Sequence, residues 1–166
     1  MTRQMLSAAG LEGYEISNYA RLGQECRHNL LYWQGEDYLG VGPGAHGRVS
    51  VRADENKFAV EAVQEIRQPS AWLSAVQSGK GGTQKRILLS KEERFEELIL
   101  MGLRLTEGIN LERFERIFGE PLLKWLDKKK LGRLINGGFL TQAEDRIVAT
   151  VEGRQRLNAV LAALIA

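Results

Sequence analysis

The sequence contains very little cysteine, proline and histidine for its length. Its 166 residues include one cysteine, Cys26, three prolines and two histidines. A single cysteine excludes an intrachain disulfide, and it excludes any metal or iron–sulfur site built only from cysteines of this chain. A chain without disulfides is typical of a reducing compartment, so we expect a cytoplasmic protein.

Long apolar segments and a strong net charge are also missing. No apolar run approaches the roughly 20 residues that a membrane-spanning helix needs, and the first ten residues lack the apolar core of a signal peptide. The net charge is only +2, which by itself does not indicate a nucleic-acid-binding protein. The 43% hydrophobic and 27% charged residues are globular values, so they exclude a disordered or collagen-like chain.

The side chains that can do chemistry are concentrated in the first third of the chain. All four tyrosines, both histidines and Cys26 lie between residues 14 and 46. From Lys91 onward the sequence is rich in Leu, Glu, Lys and Arg, as in ordinary packed helices. The sequence therefore predicts a site in its first part and a supporting helical domain in its second.

Residue patterns predict strands followed by helices in the first half. Alternating polarity indicates strands over 13–19 and 37–42, and residues 48–52 extend into a hairpin that turns at 53–56. Weak amphipathic spacing predicts a helix over 57–68 that Pro69 ends. A short helix over 70–76 follows, and the glycines of 78–83 indicate a linker or a connecting loop.

The second half is predicted to be mostly helical. Ser90 and Glu93 form a capping box at the start of a helix whose buried stripe runs from Phe95 to Leu103. Further on, the pattern predicts helices over 110–118 and 121–137, a hairpin over 139–151 and a helix over 153–165. That order over residues 110–165 is the order of a winged-helix module.

The strongest candidate site is the segment from His28 to Trp33. A histidine nitrogen can bind a metal or haem iron, and flanking aromatic faces suit a flat macrocycle. Asn29 can order a loop by bonding to its own backbone. A structural loop histidine is the commoner alternative, and one histidine without partners is not a metal site.

A second candidate is the Gly-rich turn over residues 40–46. Such a turn after a strand lets the backbone approach a ligand closely. It does not fit the dinucleotide-binding pattern, because Pro43 has no amide proton and Ala45 stands where a third glycine is required. A tight turn beside the core is the alternative interpretation.

Two further features have plain interpretations. Cys26 has no sequence neighbours that would make a catalytic triad, so an incidental thiol is favoured. The helix face from Lys128 to Lys130 with Arg133 could meet phosphates. Acidic residues nearby in the sequence favour a solvated face instead, and no nucleic-acid partner is expected.

Three segments together resemble consecutive motifs of the HemW branch of the radical S-adenosylmethionine family, whose members are often described as oxygen-independent coproporphyrinogen III oxidase-like. They are Gly-Tyr-Glu-Ile-Ser-Asn-Tyr-Ala at 13–20, His28-Asn29-x-x-Tyr32-Trp33, and the segment 37–47. The His-Asn-x-x-Tyr-Trp signature separates this branch from the HemN oxidases. The later part is similar to the HemN-type C-terminal domain at Leu89-Ser90-x-x-Glu93, Leu103-Arg104-Leu105, Gly138-Phe139-Leu140 and Thr150-x-x-Gly153.

The resemblance implies an α+β fold in two parts. Residues 1–56 would be the closing strands of a partial (β/α) radical-SAM barrel. Residues 57–166 would be a mostly helical HemN-type C-terminal domain, with the winged-helix-like module at 110–165. The family's Cys-x3-Cys-x2-Cys motif is absent, so we expect a C-terminal piece of a longer protein. The exposed barrel edge would favour self-association of such a piece.

The resemblance also implies roles for residues in both motifs. It makes His28 the candidate haem-iron ligand, with Asn29, Tyr32 and Trp33 shaping its loop. It makes Gly42, Pro43, Gly44 and Ala45 candidates for lining the cofactor end of the site, and His46 a weaker ligand candidate. No catalytic residue is assigned to this chain.

The function implied is that of a haem chaperone. The parent protein would hold a [4Fe-4S] cluster and S-adenosylmethionine, bind haem or another tetrapyrrole, and deliver it to haem-acceptor proteins. This chain alone should hold no cluster and cleave no S-adenosylmethionine. The alternative is a coproporphyrinogen III oxidase, against which the His-Asn-x-x-Tyr-Trp signature argues. A winged-helix nucleic-acid-binding module is a lower alternative.

Overall fold

The chain forms two compact units that are not continuous in sequence. A computed structural model describes residues 2–54 and 57–165. The first unit joins Met1–Gly35 with Phe95–Ala166, and the second is Glu36–Arg94. This division differs from the boundary expected after residue 56, which falls between two strands that pair with each other.

The helices and strands alternate irregularly along the chain. The helices of the described residues are α1 Thr2–Ala8, α2 Arg27–Trp33, α3 Pro69–Gln77, α4 Lys91–Gly102, α5 Leu111–Phe118, α6 Leu122–Trp125, α7 Lys128–Asn136, α8 Val151–Gln155 and α9 Leu157–Ile165. The strands are β1 Glu12–Gly13, β2 Tyr19–Ala20, β3 His46–Asp54, β4 Lys57–Glu65, β5 Thr83–Leu88, β6 Ile109–Asn110, β7 Leu140–Gln142 and β8 Arg146–Ala149.

The strand predicted over 13–19 is instead a turn between the two short strands β1 and β2. These strands pair antiparallel, with Glu12 opposite Ala20. The Glu15 carboxylate accepts hydrogen bonds from the amide of Ser17 at 2.6 Å and from the side chain of Asn18 at 2.8 Å. Bonds between a carboxylate and its near neighbours curl the backbone, because they compete with extended structure.

The core of the first unit lies among its helices and its small sheet. The capping box at the start of α4 is confirmed, since Ser90 Oγ accepts from the Glu93 amide at 3.1 Å and the Glu93 carboxylate accepts from the Ser90 amide at 2.8 Å. The stripe predicted from Phe95 to Leu103 is buried as well. It packs against buried side chains of the later elements, among them Phe114, Phe118, Leu122, Leu131, Leu140, Ile147, Val160 and Leu161.

Two of the predicted C-terminal helices are each divided in two. Residues 121–137 form α6 and α7 because Leu126 is extended and Asp127 caps a new helix, accepting from the amides of Lys129 and Lys130 at 2.7 and 3.0 Å. The helix predicted over 153–165 is α8 and α9, which are separated at Arg156. The helix capped by Asn110 is confirmed as α5.

The predicted hairpin over 139–151 is confirmed and is joined by a third strand. The sheet order is β6-β8-β7. Beside it the Thr150 hydroxyl accepts from the Gly153 amide at 3.0 Å and donates to the Gly138 carbonyl at 2.7 Å. A Cβ at Gly153 would lie 2.0 Å from the Phe139 oxygen, so the helix can approach the hairpin this closely only with glycine there.

The second unit is built on an antiparallel sheet with the order β3-β4-β5. The helix predicted over 57–68 is therefore wrong, because 57–65 is the central strand β4 with partners on both sides. The strand expected over 37–42 is reduced to a single bridge between Tyr38 and Arg48. The hairpin at 48–52 is confirmed, and its turn at 53–56 lies partly outside the described residues.

The short helix expected over 70–76 is confirmed as α3, but Pro69 begins it instead of ending a preceding helix. Proline is well suited to the first helical turn, where its missing N–H costs nothing. The Gly-rich segment after it is a connecting loop that leads into β5, a strand the sequence analysis did not predict. A strand with every residue exposed carries no alternating apolar pattern by which to recognise it.

Candidate functional site

The predicted haem-binding segment forms a helix of the first unit, α2. His28 lies in its first turn with an exposed side chain, and Tyr32 lies one turn further on. The two rings meet edge to face with centroids 4.6 Å apart. Leu31 is 39% exposed, and at three residues from His28 it lies on the same side of the helix. This face of α2 therefore presents an imidazole between an aromatic and an aliphatic side chain.

The other end of α2 is attached to the rest of the first unit. The guanidinium of Arg104 lies 4.5 Å from the centre of the Trp33 ring, a cation–π contact. Gln34 just after the helix donates to the Glu107 carboxylate at 3.2 Å, and the Asn29 amide approaches the Tyr14 hydroxyl at 3.4 Å. Trp33 and Asn29 thus hold the helix, whereas the His28 side chain is exposed and Tyr32 is half-buried beside it.

Glu15 and Arg104 are a structural pair that the sequence analysis did not identify. The Glu15 side chain is fully buried, and its Oε2 accepts from Arg104 Nη2 at 3.0 Å. Its other oxygen accepts from the backbone amide and the hydroxyl of Ser17 and from Asn18. The same guanidinium therefore neutralises a buried carboxylate and stacks on Trp33.

The electrostatics of this pair favour the charged form of the acid. Burial alone would raise the pKa of the Glu15 carboxyl, but hydrogen bonds from Ser17 and the ion pair with Arg104 bring it below its usual range. A buried carboxylate with this many donors is held in one orientation. Both partners belong to segments singled out as family-like motifs, so the resemblance was a signal for their importance although not for their contact.

The predicted cofactor-lining turn belongs to the second unit. Gly42 and Gly44 have φ values of 106° and 71°, and a Cβ at Gly40 would lie 2.2 Å from the His46 oxygen. The Gly44 amide donates to Ile66 and the Ala45 amide donates to Gly42. The glycines and backbone amides of residues 40–45 thus have structural roles in the turn itself. A cofactor-lining role for Gly42, Pro43, Gly44 and Ala45 stays a prediction.

The structure groups the predicted site residues by unit. His28, Asn29, Tyr32 and Trp33 lie together on α2, whereas residues 42–45 and the exposed His46 lie in the second unit. Cys26 is exposed and precedes α2. Over residues 2–54 and 57–165, no group of three or more His, Cys, Asp or Glu side chains could hold a metal ion. On α2, the one exposed imidazole is that of His28.

The basic face predicted on residues 128–133 lies on α7. The Asp127 carboxylate caps this helix, and hydrogen bonds from the amides of Lys130 and Lys129 keep its pKa below the usual range. Lys128, Lys129 and Arg133 are exposed. An acidic cap at the start of the basic run reduces its positive charge.

In the described part of the chain, no helix is long and apolar enough to cross a bilayer.

Comparison with known sequences finds one recognised domain in the later part of the chain. Residues 89–156 match the HemN C-terminal domain. The chain is 35% identical over 164 residues to the "Radical S-adenosyl methionine domain-containing protein 1, mitochondrial" of Danio rerio, an alignment that covers 98% of this chain and 37% of that protein. It is 31% identical over 164 residues to the "Heme chaperone HemW" of Bacillus subtilis, covering 96% of this chain and 40% of that protein.

A solved structure has the same fold. The coproporphyrinogen III oxidase HemN of Escherichia coli, described as a radical SAM enzyme, superimposes with a TM-score of 0.64 at 16% identity, covering 98% of this chain and 38% of that one. The "Heme chaperone HemW" of Escherichia coli is 31% identical over 163 residues. The chain spans about two fifths of the length of these relatives.

Proposed function

Since this chain is related over nearly its whole length to the HemW and HemN proteins and carries a HemN C-terminal domain, we propose that it binds haem through α2. In the longer protein this segment would pass haem, or another tetrapyrrole, to haem-acceptor proteins. The relatives named as haem chaperones support this proposal over an oxidase.

The observation that carries the proposal is the exposed face of α2. His28, Leu31 and Tyr32 lie within one turn and are accessible or half-buried. A neutral imidazole nitrogen can serve as an axial ligand of haem iron, and aliphatic and aromatic surfaces suit the macrocycle. The residues present therefore fit haem, whose iron would bind the His28 imidazole. The chain's own residues would provide the ligand and the apolar contact.

The support of α2 makes this face suitable for binding. Trp33 is held under the Arg104 guanidinium, which is itself fixed by the buried Glu15 carboxylate. Because α2 is fixed at its far end, its binding side chains would lose little conformational entropy when the ligand binds. Glu15, Trp33 and Arg104 would therefore position α2 without touching the ligand.

The experiment is a haem titration of the purified chain followed by its Soret absorption. The His28→Ala variant should bind haem at least about tenfold more weakly, because an axial ligand bond is lost, and its Soret band should shift. His46→Ala is the matched control, since it removes the chain's other histidine from an exposed position in the second unit. An unchanged affinity and spectrum in His28→Ala would remove His28 from the site.

The family relationship extends the proposal to a [4Fe-4S] cluster and S-adenosylmethionine. We assign the [4Fe-4S] cluster and S-adenosylmethionine to a longer protein, because Cys26 is the single cysteine here. In that protein, residues 42–45 would line the cofactor end of the site and residues 1–56 would close a partial barrel. The order β6-α5-α6-α7-β7-β8 and the sheet order β6-β8-β7 support a winged-helix-like module near the C-terminal end.

An oxidase and a different compartment are the alternatives to test. The fold of the HemN structure motivates an anaerobic assay of the longer protein, reconstituted with its cluster, for decarboxylation of coproporphyrinogen III. Robust turnover would reverse our order of preference.

We place the protein in the cytoplasm, although the Danio rerio relative is named mitochondrial. Fractionation with an antibody against the native protein would decide the location.

A further inference from the structure

A cleft of about 210 Å³ opens in the first unit, and no residue of α2 is among those that line it. Its walls come from α1, from the turn between β1 and β2, and from α8. The charged and polar residues that line it include Arg3, Glu15, Tyr19, Arg154 and Gln155, of which Glu15 has a fully buried side chain. The volume is well above the roughly 10–15 Å³ that one ordered water requires, so a small molecule can enter.

The charges that line the cleft are not balanced. The negative charge of Glu15 is already neutralised by Arg104 at 3.0 Å. Arg3 and Arg154 add two positive charges, and within the part of the chain that the structure describes neither guanidinium has an ion-pair partner. The cleft therefore carries an excess of positive charge on its walls.

Arg154 is held in place on the wall of the cleft. Its Nη1 donates to the Ala149 carbonyl at 2.6 Å, which uses one of the five N–H donors of the guanidinium. Burial lowers the pKa of Arg154, and the positive charge of Arg3 lowers it further. Two guanidinium groups that repel each other across a cleft are stabilised when an anion binds to both.

We propose that this cleft binds a small organic anion bearing carboxylate or phosphate groups, with Arg3 and Arg154 as its two cationic contacts. Tyr19 and Gln155 line the same cleft and carry a hydroxyl and an amide group, which are neutral hydrogen-bond donors. Planar guanidinium groups recognise both oxyanions through paired hydrogen bonds. The proposal does not depend on haem binding at His28, because it rests on a different set of residues.

The test is a calorimetric titration of the chain with sodium phosphate and, separately, sodium succinate, against sodium chloride at equal ionic strength. Arg3→Gln and Arg154→Gln should each weaken binding by about tenfold, the effect of losing one charge-assisted contact. Arg156→Gln is the matched control, because this exposed arginine lies two residues from Arg154 and does not line the cleft. Its affinity should equal that of the unmodified chain.

The two arms distinguish the sources of the anion. Tighter binding of succinate assigns the site to a carboxylate ligand, and tighter binding of phosphate assigns it to a phosphorylated one. Arg154→Gln also loses the bond to Ala149, so the exposed Arg3 provides the variant that should fold unchanged. The proposal is overturned if neither anion exceeds chloride, or if Arg3→Gln binds as tightly as the unmodified chain.

Discussion

The contact between Glu15 and Arg104 gives the sharpest prediction for the first unit. Replacing Arg104 by Met keeps a long side chain against Trp33 but leaves the Glu15 carboxylate without its cation. That carboxylate has no exposed surface, so water cannot replace the lost partner. We therefore expect Arg104→Met to destabilise the β1–β2 turn and the attachment of α2 together.

The magnitude follows from the burial of the two partners. Removing one member of a fully buried ion pair costs about 3–5 kcal/mol. Because the Arg104 side chain is 28% exposed, solvent screens part of the interaction, and about 2–3 kcal/mol is expected. For a chain of this length that loss lowers Tm by about 4–12 °C. In the double variant that combines Glu15→Gln with Arg104→Met, the loss of stability should be smaller than the sum of the two single losses by about 1–2 kcal/mol.

The assay is a double-mutant cycle measured by denaturant unfolding, with amide hydrogen exchange over residues 13–20 to localise the effect. Arg86→Met is the matched control. Its ion pair with Glu61 has the same 3.0 Å distance, but its partners are 56% and 25% exposed. Such a pair contributes about 0–1 kcal/mol.

Two results would contradict a stabilising buried contact between Glu15 and Arg104. One is a cost for Arg104→Met no greater than that for Arg86→Met, which would show that burial does not matter at this pair. The other is full additivity of Glu15→Gln and Arg104→Met, which would show that the two side chains do not interact. Either result would also weaken the argument that Arg104 positions α2.

The structure makes four further predictions. The folded-state pKa of Glu15 is depressed, so the stability that its carboxylate contributes is present at neutral pH and is lost as the pH falls through that pKa. The difference in free energy of unfolding between the unmodified chain and Glu15→Gln should therefore narrow below about pH 4. Gly108→Ala should cost about 2 kcal/mol or more, since Gly108 has φ 74° and a Cβ there would lie 2.3 Å from a carbonyl oxygen. By contrast, Gly132 lies in the interior of α7 with open space around it, so Gly132→Ala should stabilise the chain by about 0.5–1 kcal/mol. Thermal unfolding checks both substitutions. Asn110→Ala should cost about 1 kcal/mol by removing the cap of α5, as denaturant titration would show. Duplex DNA should not bind at low salt, where phosphate contacts are strongest, and a fluorescence anisotropy titration that showed salt-sensitive binding lost in Lys129→Ala would contradict this.

Local sequence signals predicted the helical domain well. The capping box at Ser90, the Asn110 cap and the hairpin over 139–151 each depend on neighbours within a few residues, so they can be identified without knowing the fold. The division of the helix over 121–137 was missed although Asp127 is a strong capping residue. The apolar spacing continues on both sides of Asp127, and this favoured a single helix over the whole segment.

The second unit was harder to predict because its apolar spacing fits two structures. Val60 and Val63 are buried at a spacing that a helix also produces, and in the regularly paired part of β4 this spacing places them on opposite faces of the sheet. What makes these residues a strand is pairing on both sides with β3 and β5. Pairing between strands is a tertiary property, and β-propensity depends on that context.

For the candidate site, the sequence showed that the candidate residues His28, Asn29, Tyr32 and Trp33 stand close together, but it predicted a loop around His28 where the structure has the helix α2. The spacing of His28, Leu31 and Tyr32 places them on one face wherever the segment is helical, because side chains three and four apart are neighbours on a helix. Only the tertiary structure decided that this face is exposed. It also decided that Glu15 is the buried acid and that Arg104, 89 residues away, neutralises it. Burial and long-range charge pairing depend on which segments pack together, and packing is a property of the whole fold.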